Sequence, residues 1–316
     1  MNTEDPLDTA KALVATVPGW AGRDLKWQAG PVPIASPMYQ GVDATAFRAS
    51  NPTADESLWV KVAHADAKLF ADPAAIVDAA KSASFLGIAP KLVASDPETG
   101  ALAMQDLSDT HKTATLDRLA EPAISSAVIK AKRAFHNGPR LQRCNNVFDQ
   151  IEALYDVAGQ NGVVMPQDEF WMLDNSRAAG AAIRAAGFDT VPAHGDGNAS
   201  NILLDDSQKI TLVDFDMSAN MDPFQDLGSF LVEAYAFDPL AQAAFEEFHG
   251  QFDEQLFNRT RLYGVADDLR WGLIGAILAE MSTRTDLEFL KYAEWRFLRC
   301  RMAMRDPRFE ERVRRV

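Results

Sequence analysis

The sequence predicts an α+β chain of two lobes, a small antiparallel sheet followed by a mainly helical part. Three observations predict it. The chain has 316 residues, and about one lobe per 150 residues is expected. Early in the chain the apolar positions alternate with period two, whereas beyond about Leu107 they recur every three or four residues. A hydrophobic share of 47% with 24% charged residues is the composition of a soluble globular protein with a substantial core.

The strand signals come first. In Ser57-Leu-Trp-Val-Lys-Val-Ala63, Leu58, Val60 and Val62 share one face, and Trp59, Lys61 and Ala63 share the other. Ala44 to Ala49 is the expected antiparallel partner, joined through the turn-rich segment Ser50 to Asp55. A helix follows, with Asp72 as N-cap, Pro73 at the first helical position and Gly87 at the C′ position before Pro90. Lys91 to Ala94 and Ala101 to Met104 read as two further short strands. Three runs then have helical spacing: Phe148, Ile151 and Leu154/Tyr155; Phe245, Phe248, Phe252 and Leu256; Val265, Leu269 and Leu273. One strand-like island interrupts the helices, a hairpin with arms Ile202 to Leu204 and Ile210 to Phe215 around Asp205 to Gln208.

Charge narrows the function. Acidic residues number 45 against 31 basic ones, a net charge of −14. Such a chain is repelled by nucleic-acid phosphates and anionic lipid, so neither nucleic acid nor a membrane is expected as partner. A local pocket can still hold ATP, and the acidic field attracts small cations. Cys144 and Cys300 are too few and too far apart for a disulfide framework or a metal site. The acidic start and the absence of a long apolar run lead to the expectation of a cytoplasmic protein, either monomer or homodimer.

The hairpin island carries the chemistry. It contains His194-Gly-Asp-Gly-Asn-Ala-Ser-Asn201, Val213-Asp-Phe-Asp216 and Asp222-Pro-Phe-Gln-Asp-Leu-Gly228. A turn centred between Ser207 and Gln208 would set Asn201 directly opposite Asp214. Side by side, an amide oxygen and a carboxylate suit Mg²⁺ and its phosphate ligands. Asp196, five residues before Asn201, would then be placed to act on a hydroxyl. Kinase-type phosphoryl transfer uses this order: an Asp that accepts the nucleophile's proton, an Asn that holds one metal and an Asp that holds another.

His194-Gly-Asp-x-x-x-x-Asn201, Asp214-Phe-Asp216 and Asp226-Leu-Gly228 resemble the aminoglycoside phosphotransferase / choline-ethanolamine kinase superfamily. The resemblance implies a bilobal protein-kinase-like fold, with residues 1–105 as the ATP-binding lobe and 106–316 as a helical lobe bearing the catalytic loop and substrate pocket. It implies ATP and Mg²⁺ as cofactors. Lys61 then falls where the family grips the α/β-phosphates, and Asp78 where it has the carboxylate that pairs with this Lys. Met104, Gln105 and Asp106 fall at the hinge that meets the adenine. The phosphate-covering loop falls around Ile34 to Ala46, where Gly41 is the only glycine and Pro37 a stiff point. The loop His194 is expected to be structural.

Three further features resemble the choline/ethanolamine kinases. Glu233 lies seven residues after Asp226, where those kinases place an acid near the substrate's cation. Arg270-Trp-Gly-Leu273 resembles their W-G-L segment, and Tyr292-Ala-Glu-Trp-Arg-Phe297 their Y-A-x-x-R-F segment. Trp271, Tyr292 and Glu233 would cage an ammonium, with cation–π attraction worth about 0.5–2 kcal/mol per aromatic ring. Choline kinases usually have Asn where Gly195 stands, Glu where Asp216 stands and an aromatic where Ile274 stands. Asp216 is expected to assist metal or substrate. The expected activity is phosphorylation of a small cationic hydroxylated substrate, choline or ethanolamine in the first instance. An aminoglycoside, homoserine or sugar-amine kinase, or an inactive nucleotide-binding module, is the alternative.

Overall fold

The computed structural model describes residues 5–35 and 39–316. Pro37 of the phosphate-covering loop lies outside the described residues. Helix α1 (Pro6–Ala15) is capped by Asp5, whose carboxylate accepts from Leu7 N–H. The five-stranded sheet comprises β1 (Lys26–Ala29), β2 (Ala44–Asn51), β3 (Glu56–Ala63), β4 (Leu92–Asp96) and β5 (Ala101–Gln105), in the order β1-β2-β3-β5-β4. Every pairing within it is antiparallel. The β3 alternation decides which face is dry. Leu58, Val60 and Val62 are buried with Leu13, Val14 and Trp20 beneath α1, so Lys61 and its β5 partner Leu102 point the other way. Helix α2 (Pro73–Phe85) starts as expected, with Asp72 accepting from Ala75 N–H. Gly87 follows it with φ 69°, the left-handed conformation that ends helices.

The second lobe starts with β6 (His111–Thr113), α3 (Leu116–Leu119), α4 (Pro122–His136), α5 (Val147–Gln160) and α6 (Glu169–Ala186). Then come β7 (Val191–Ala193), β8 (Ile202–Asp205), β9 (Ile210–Leu212) and β10 (Ala219–Met221). The closing helices are α7 (Pro223–Ala234), α8 (Asp238–His249), α9 (Glu254–Met281), α10 (Phe289–Arg305) and α11 (Arg308–Arg314). The 28-residue α9 is buried almost all round between Phe257 and Leu278, because α5, α7 and α10 all pack on it. Among the described residues, no helix is long and apolar enough to cross a membrane.

Two sequence expectations need correction. The run from Phe245 to Leu256 is not one helix. Gly250, at φ 97°, ends α8 at His249, and Asp253 caps the start of α9 by accepting from Leu256 N–H. The hairpin is also one residue out of the expected register. Ile202 pairs with Leu212 and Leu204 with Ile210, so Asn201 faces Val213, whose N–H donates to Asn201 O at 2.9 Å. The turn is longer than two residues because the Asp205 carboxylate gathers the N–H groups of Ser207 and Lys209. Asp214 then leaves the ladder at φ 64°, so the second arm ends at Leu212.

The loop between β7 and β8 sits directly on α7. A Cβ on Gly197 would lie 2.0 Å from Ser229 O, so only glycine allows this approach.

Candidate active site

Asp196 is the centre of the loop between β7 and β8, and its carboxylate is fixed through both oxygens. Asn198 N–H donates to Oδ1 at 2.8 Å, and Asn201 Nδ2 donates to Oδ2 at 2.9 Å. The backbone behind it is anchored as firmly. His194 Nδ1 lies 2.8 Å from Asp196 O, and its Nε2 lies 3.0 Å from Val213 O. The ring therefore staples the Asp196 loop to the Asp214 segment, the structural role expected of it. Lys132 Nζ also donates to Asp196 O, at 2.9 Å. The same ammonium meets Asp226 Oδ1 at 2.8 Å, and that oxygen also accepts from Gly195 N–H. His136 Nε2 contacts the other Asp226 oxygen at 2.8 Å. Asp226 thus holds the loop from α7 without facing the cleft.

Gly195 explains one departure noted in the sequence. It has φ 75°, and a Cβ there would meet Met217 O at 2.7 Å and Met221 Cε at 2.8 Å. Glycine is required by the chain's own backbone here. Gly195→Asn is expected to lower stability by about 1–3 kcal/mol, read as a lowered urea midpoint with unchanged slope; an unchanged midpoint would contradict this account.

The cleft between the lobes is apolar at one end and charged at the other. Ala80, Ala89, Pro90, Leu92, Leu102 and Met104 line the first, while Lys61, Asp214 and Asp216 line the second. Lys61 Nζ donates to Asp214 Oδ1 at 2.6 Å and to Asp216 Oδ1 at 2.8 Å. Burial opposes the charge on Lys61, but Asp214 and Asp216 outweigh it and raise its pKa. Burial also pushes both carboxylates up. At Asp214 the attraction of Lys61 wins and the net shift is downward. At Asp216, burial and the neighbouring Asp214 win, raising it to about 7.

Asp216 Oδ2 is buried without a hydrogen-bond partner. An orphan carboxylate oxygen that shares Lys61 with Asp214 fits a hard cation that brings its remaining oxygen ligands with it. Among the described residues, no three His, Cys, Asp or Glu side chains converge into a self-sufficient metal cage. Asp214 and Asp216 offer carboxylate oxygens of the kind Mg²⁺ takes together with phosphate oxygens.

Several sequence expectations are corrected by these contacts. Asp78 does not pair with Lys61; its carboxylate accepts from Gln142 N–H at 2.8 Å. The side chain is one methylene shorter than Glu and is taken by the nearer backbone donor. Asp216, expected to assist metal or substrate, sits with Lys61 at the charged end of the cleft. Met104 lines the cleft, whereas the Asp106 carboxylate turns away to Arg48 at 2.6 Å and Ser57 at 2.7 Å. Gln105 does not line the cleft, and its N–H donates to Lys91 O at 2.8 Å. Glu233 is not free to meet a cation. It already pairs with Arg296 and, at 3.4 Å, with Arg299. Arg296 also donates to Tyr292 Oη at 2.9 Å and Asp268 at 2.9 Å.

Trp271 and Tyr292 do come together, with ring centroids 6.4 Å apart. Sequence reasoning missed the ring beside them: Tyr39 lies 4.9 Å from each. Its carbonyl accepts from Asn198 Nδ2 at 3.0 Å and Ser200 Oγ at 2.8 Å, and its hydroxyl donates to Asp43 at 2.5 Å. Burial and Asp43 raise the Tyr39 hydroxyl's pKa, and burial and Asp214 raise that of Asp43. An N-lobe segment thus supplies the aromatic that Ile274 does not. The one signal for it was an aromatic residue in a glycine-poor loop.

A small sheet lobe above a helical lobe, with a lysine–carboxylate cluster in the cleft between them and a fixed aspartate on the β7–β8 loop, defines a kinase-like phosphotransferase. Residues 36–265 match the phosphotransferase enzyme family APH, and the chain belongs to that family. A sequence search of curated proteins finds no match. Among solved structures, a choline/ethanolamine kinase family protein from Mesorhizobium loti is similar with TM-score 0.78 and 22% identity over 98% of each chain. Choline kinase from Cryptosporidium parvum gives 0.70 and 15% over 98% of each chain. Spectinomycin phosphotransferase, solved with ADP and spectinomycin, gives 0.53 and 13% over 99% of this chain and 98% of that one. At these identities the likeness shows the fold.

Proposed function

We propose that this chain transfers the γ-phosphoryl group of ATP to the hydroxyl of a small amino alcohol, of the choline or ethanolamine type. Residues 1–105 then form the nucleotide-gripping lobe and 106–316 the acceptor lobe. The observation that carries the reading is the Asp196 carboxylate, held by Asn198 and Asn201 on a loop that also contacts the aromatic segment through Tyr39. In this reading Asp196 orients the acceptor hydroxyl and takes its proton as the oxygen attacks phosphorus. Lys61 turns from its carboxylates to the phosphates. Asn201, Asp214 and Asp216 would hold Mg²⁺, which neutralises phosphate charge when bound. Met104 and the apolar residues around it accept the adenine. Trp271, Tyr292 and Tyr39 receive the amine's apolar carbons.

Release of ADP is the test, measured with Mg–ATP against choline, ethanolamine, homoserine, an aminoglycoside and ethylene glycol. Turnover of an amino alcohol above the others is the expected result. Turnover confined to the aminoglycoside or homoserine would overturn the reading, and Arg296 on Glu233 would then be its structural reason.

A further inference from the structure

The middle of α9 carries three buried charges, Asp267, Asp268 and Arg270, exposed by 4%, 1% and 0%. Asp268 is engaged through both oxygens and Arg270 through both Nη groups, while Arg270 Nε is buried without a partner. Asp268 meets Arg296 at 2.9 Å through one oxygen and Arg299 at 3.3 Å through the other. Arg270 reaches Gly195 O at 3.1 Å and Gln150 Oε1 at 3.3 Å as well as Asp267. Asp267 is half engaged. Its Oδ1 takes Arg270 Nη2, and among the described residues no donor reaches Oδ2. Unlike Asp216 Oδ2, this oxygen is not sealed from solvent, so a partner from outside the chain can reach it.

Its position says what that partner is. Arg270 Nη2 touches both Asp267 and the carbonyl of Gly195, so this carboxylate stands beside the loop that carries Asp196. It lies one helical turn before Trp271, on the same face of α9, and Trp271 packs on Tyr39. Glu233 cannot serve an ammonium here, because Arg296 occupies it. We propose that Asp267 is the specificity-determining carboxylate that binds the acceptor's ammonium group. The proposal rests on the amino-alcohol reading and sharpens it. An oxygen that lacks an N–H donor selects an ammonium bearing N–H, so a primary or partly methylated amine is preferred to trimethylammonium.

Titration offers a second handle. Burial raises Asp267 to about 7 against the pull of Arg270 and Arg296, with Asp196 and Asp268 adding to the rise. Only its charged form would hold an ammonium strongly, so preference for the cation grows as pH rises through about 7.

The experiment compares kcat/KM for ethanolamine, choline and ethylene glycol in the wild type and Asp267→Asn. The wild type is expected to favour ethanolamine over both, with an ethanolamine-to-glycol ratio that rises with pH through about 7. The Asp267→Asn ratio is expected to fall on the order of 30-fold, mostly through KM for ethanolamine. If the wild type uses amino alcohols but prefers choline, or if Asp267→Asn keeps the ratio, this inference is wrong and the amino-alcohol reading stands. If no amino alcohol is turned over, both fall. Should Asp267→Asn not fold, the wild-type ratio decides alone, and a flat pH profile overturns the assignment.

Discussion

Asp196→Asn is expected to lower kcat about 10³-fold, the loss that follows removal of a well-placed general base. Mg–ADP affinity should stay within a few-fold, because Asp196 does not line the cleft that holds Lys61, Asp214 and Asp216. The substitution keeps volume but not hydrogen-bond polarity. Both Asp196 oxygens are acceptors, from Asn198 N–H and from Asn201 Nδ2. An asparagine offers one acceptor and one donor, so one of those two contacts becomes donor against donor. A small loss of stability therefore accompanies the kinetic loss. Single-turnover rates and a nucleotide titration separate the two, and turnover within tenfold of wild type would remove Asp196 from the chemistry.

Asp226→Asn is expected to give the largest loss of stability, about 3–5 kcal/mol by urea denaturation. Lys132 is 1% exposed and Asp226 0%, so removing the carboxylate's charge leaves an ammonium buried without its counter-ion. Burial alone would raise the Asp226 pKa, but Lys132 and His136 outweigh it and hold it below the ordinary carboxylate range. A depressed folded-state pKa stabilises above the unfolded pKa, and that stability is lost as pH falls towards the folded value. The wild type should therefore lose stability on acidification below the ordinary carboxylate range, and Asp226→Asn should lose less over that interval. Because Gly195 and Asp196 hang on the same network, activity should fall as well. Parallel acid limbs in the two proteins would show that Asp226 does not carry this charge.

The sequence made local features legible where one residue decides them. Asp72 and Pro73 start α2 as expected, and the β3 alternation correctly turns Lys61 away from the dry face. Asp196 lies in the loop entering the hairpin as expected, whereas Asn201 faces Val213 and not Asp214. The register was less legible, since it depended on one aspartate, Asp205, recruiting two extra amides into the turn. Charge partners were least legible. Nothing near Glu233 in sequence announces Arg296, 63 positions away, and nothing near Asp78 announces the Gln142 amide. Tyr39 meets Trp271 only after both lobes have folded. Three charges within the otherwise apolar middle of α9 were the available signal for Asp267, and the expectation there attached to Trp271 instead.

The contact at Gly197 also limits what descent can do with this loop. Glycine alone lacks a Cβ, so every one-base change that alters this residue introduces an atom where Ser229 O already stands. The loop and the first turns of α7 must therefore be inherited together. Residues elsewhere around the cleft can be replaced singly, while the stretch that holds Asp196 stays fixed.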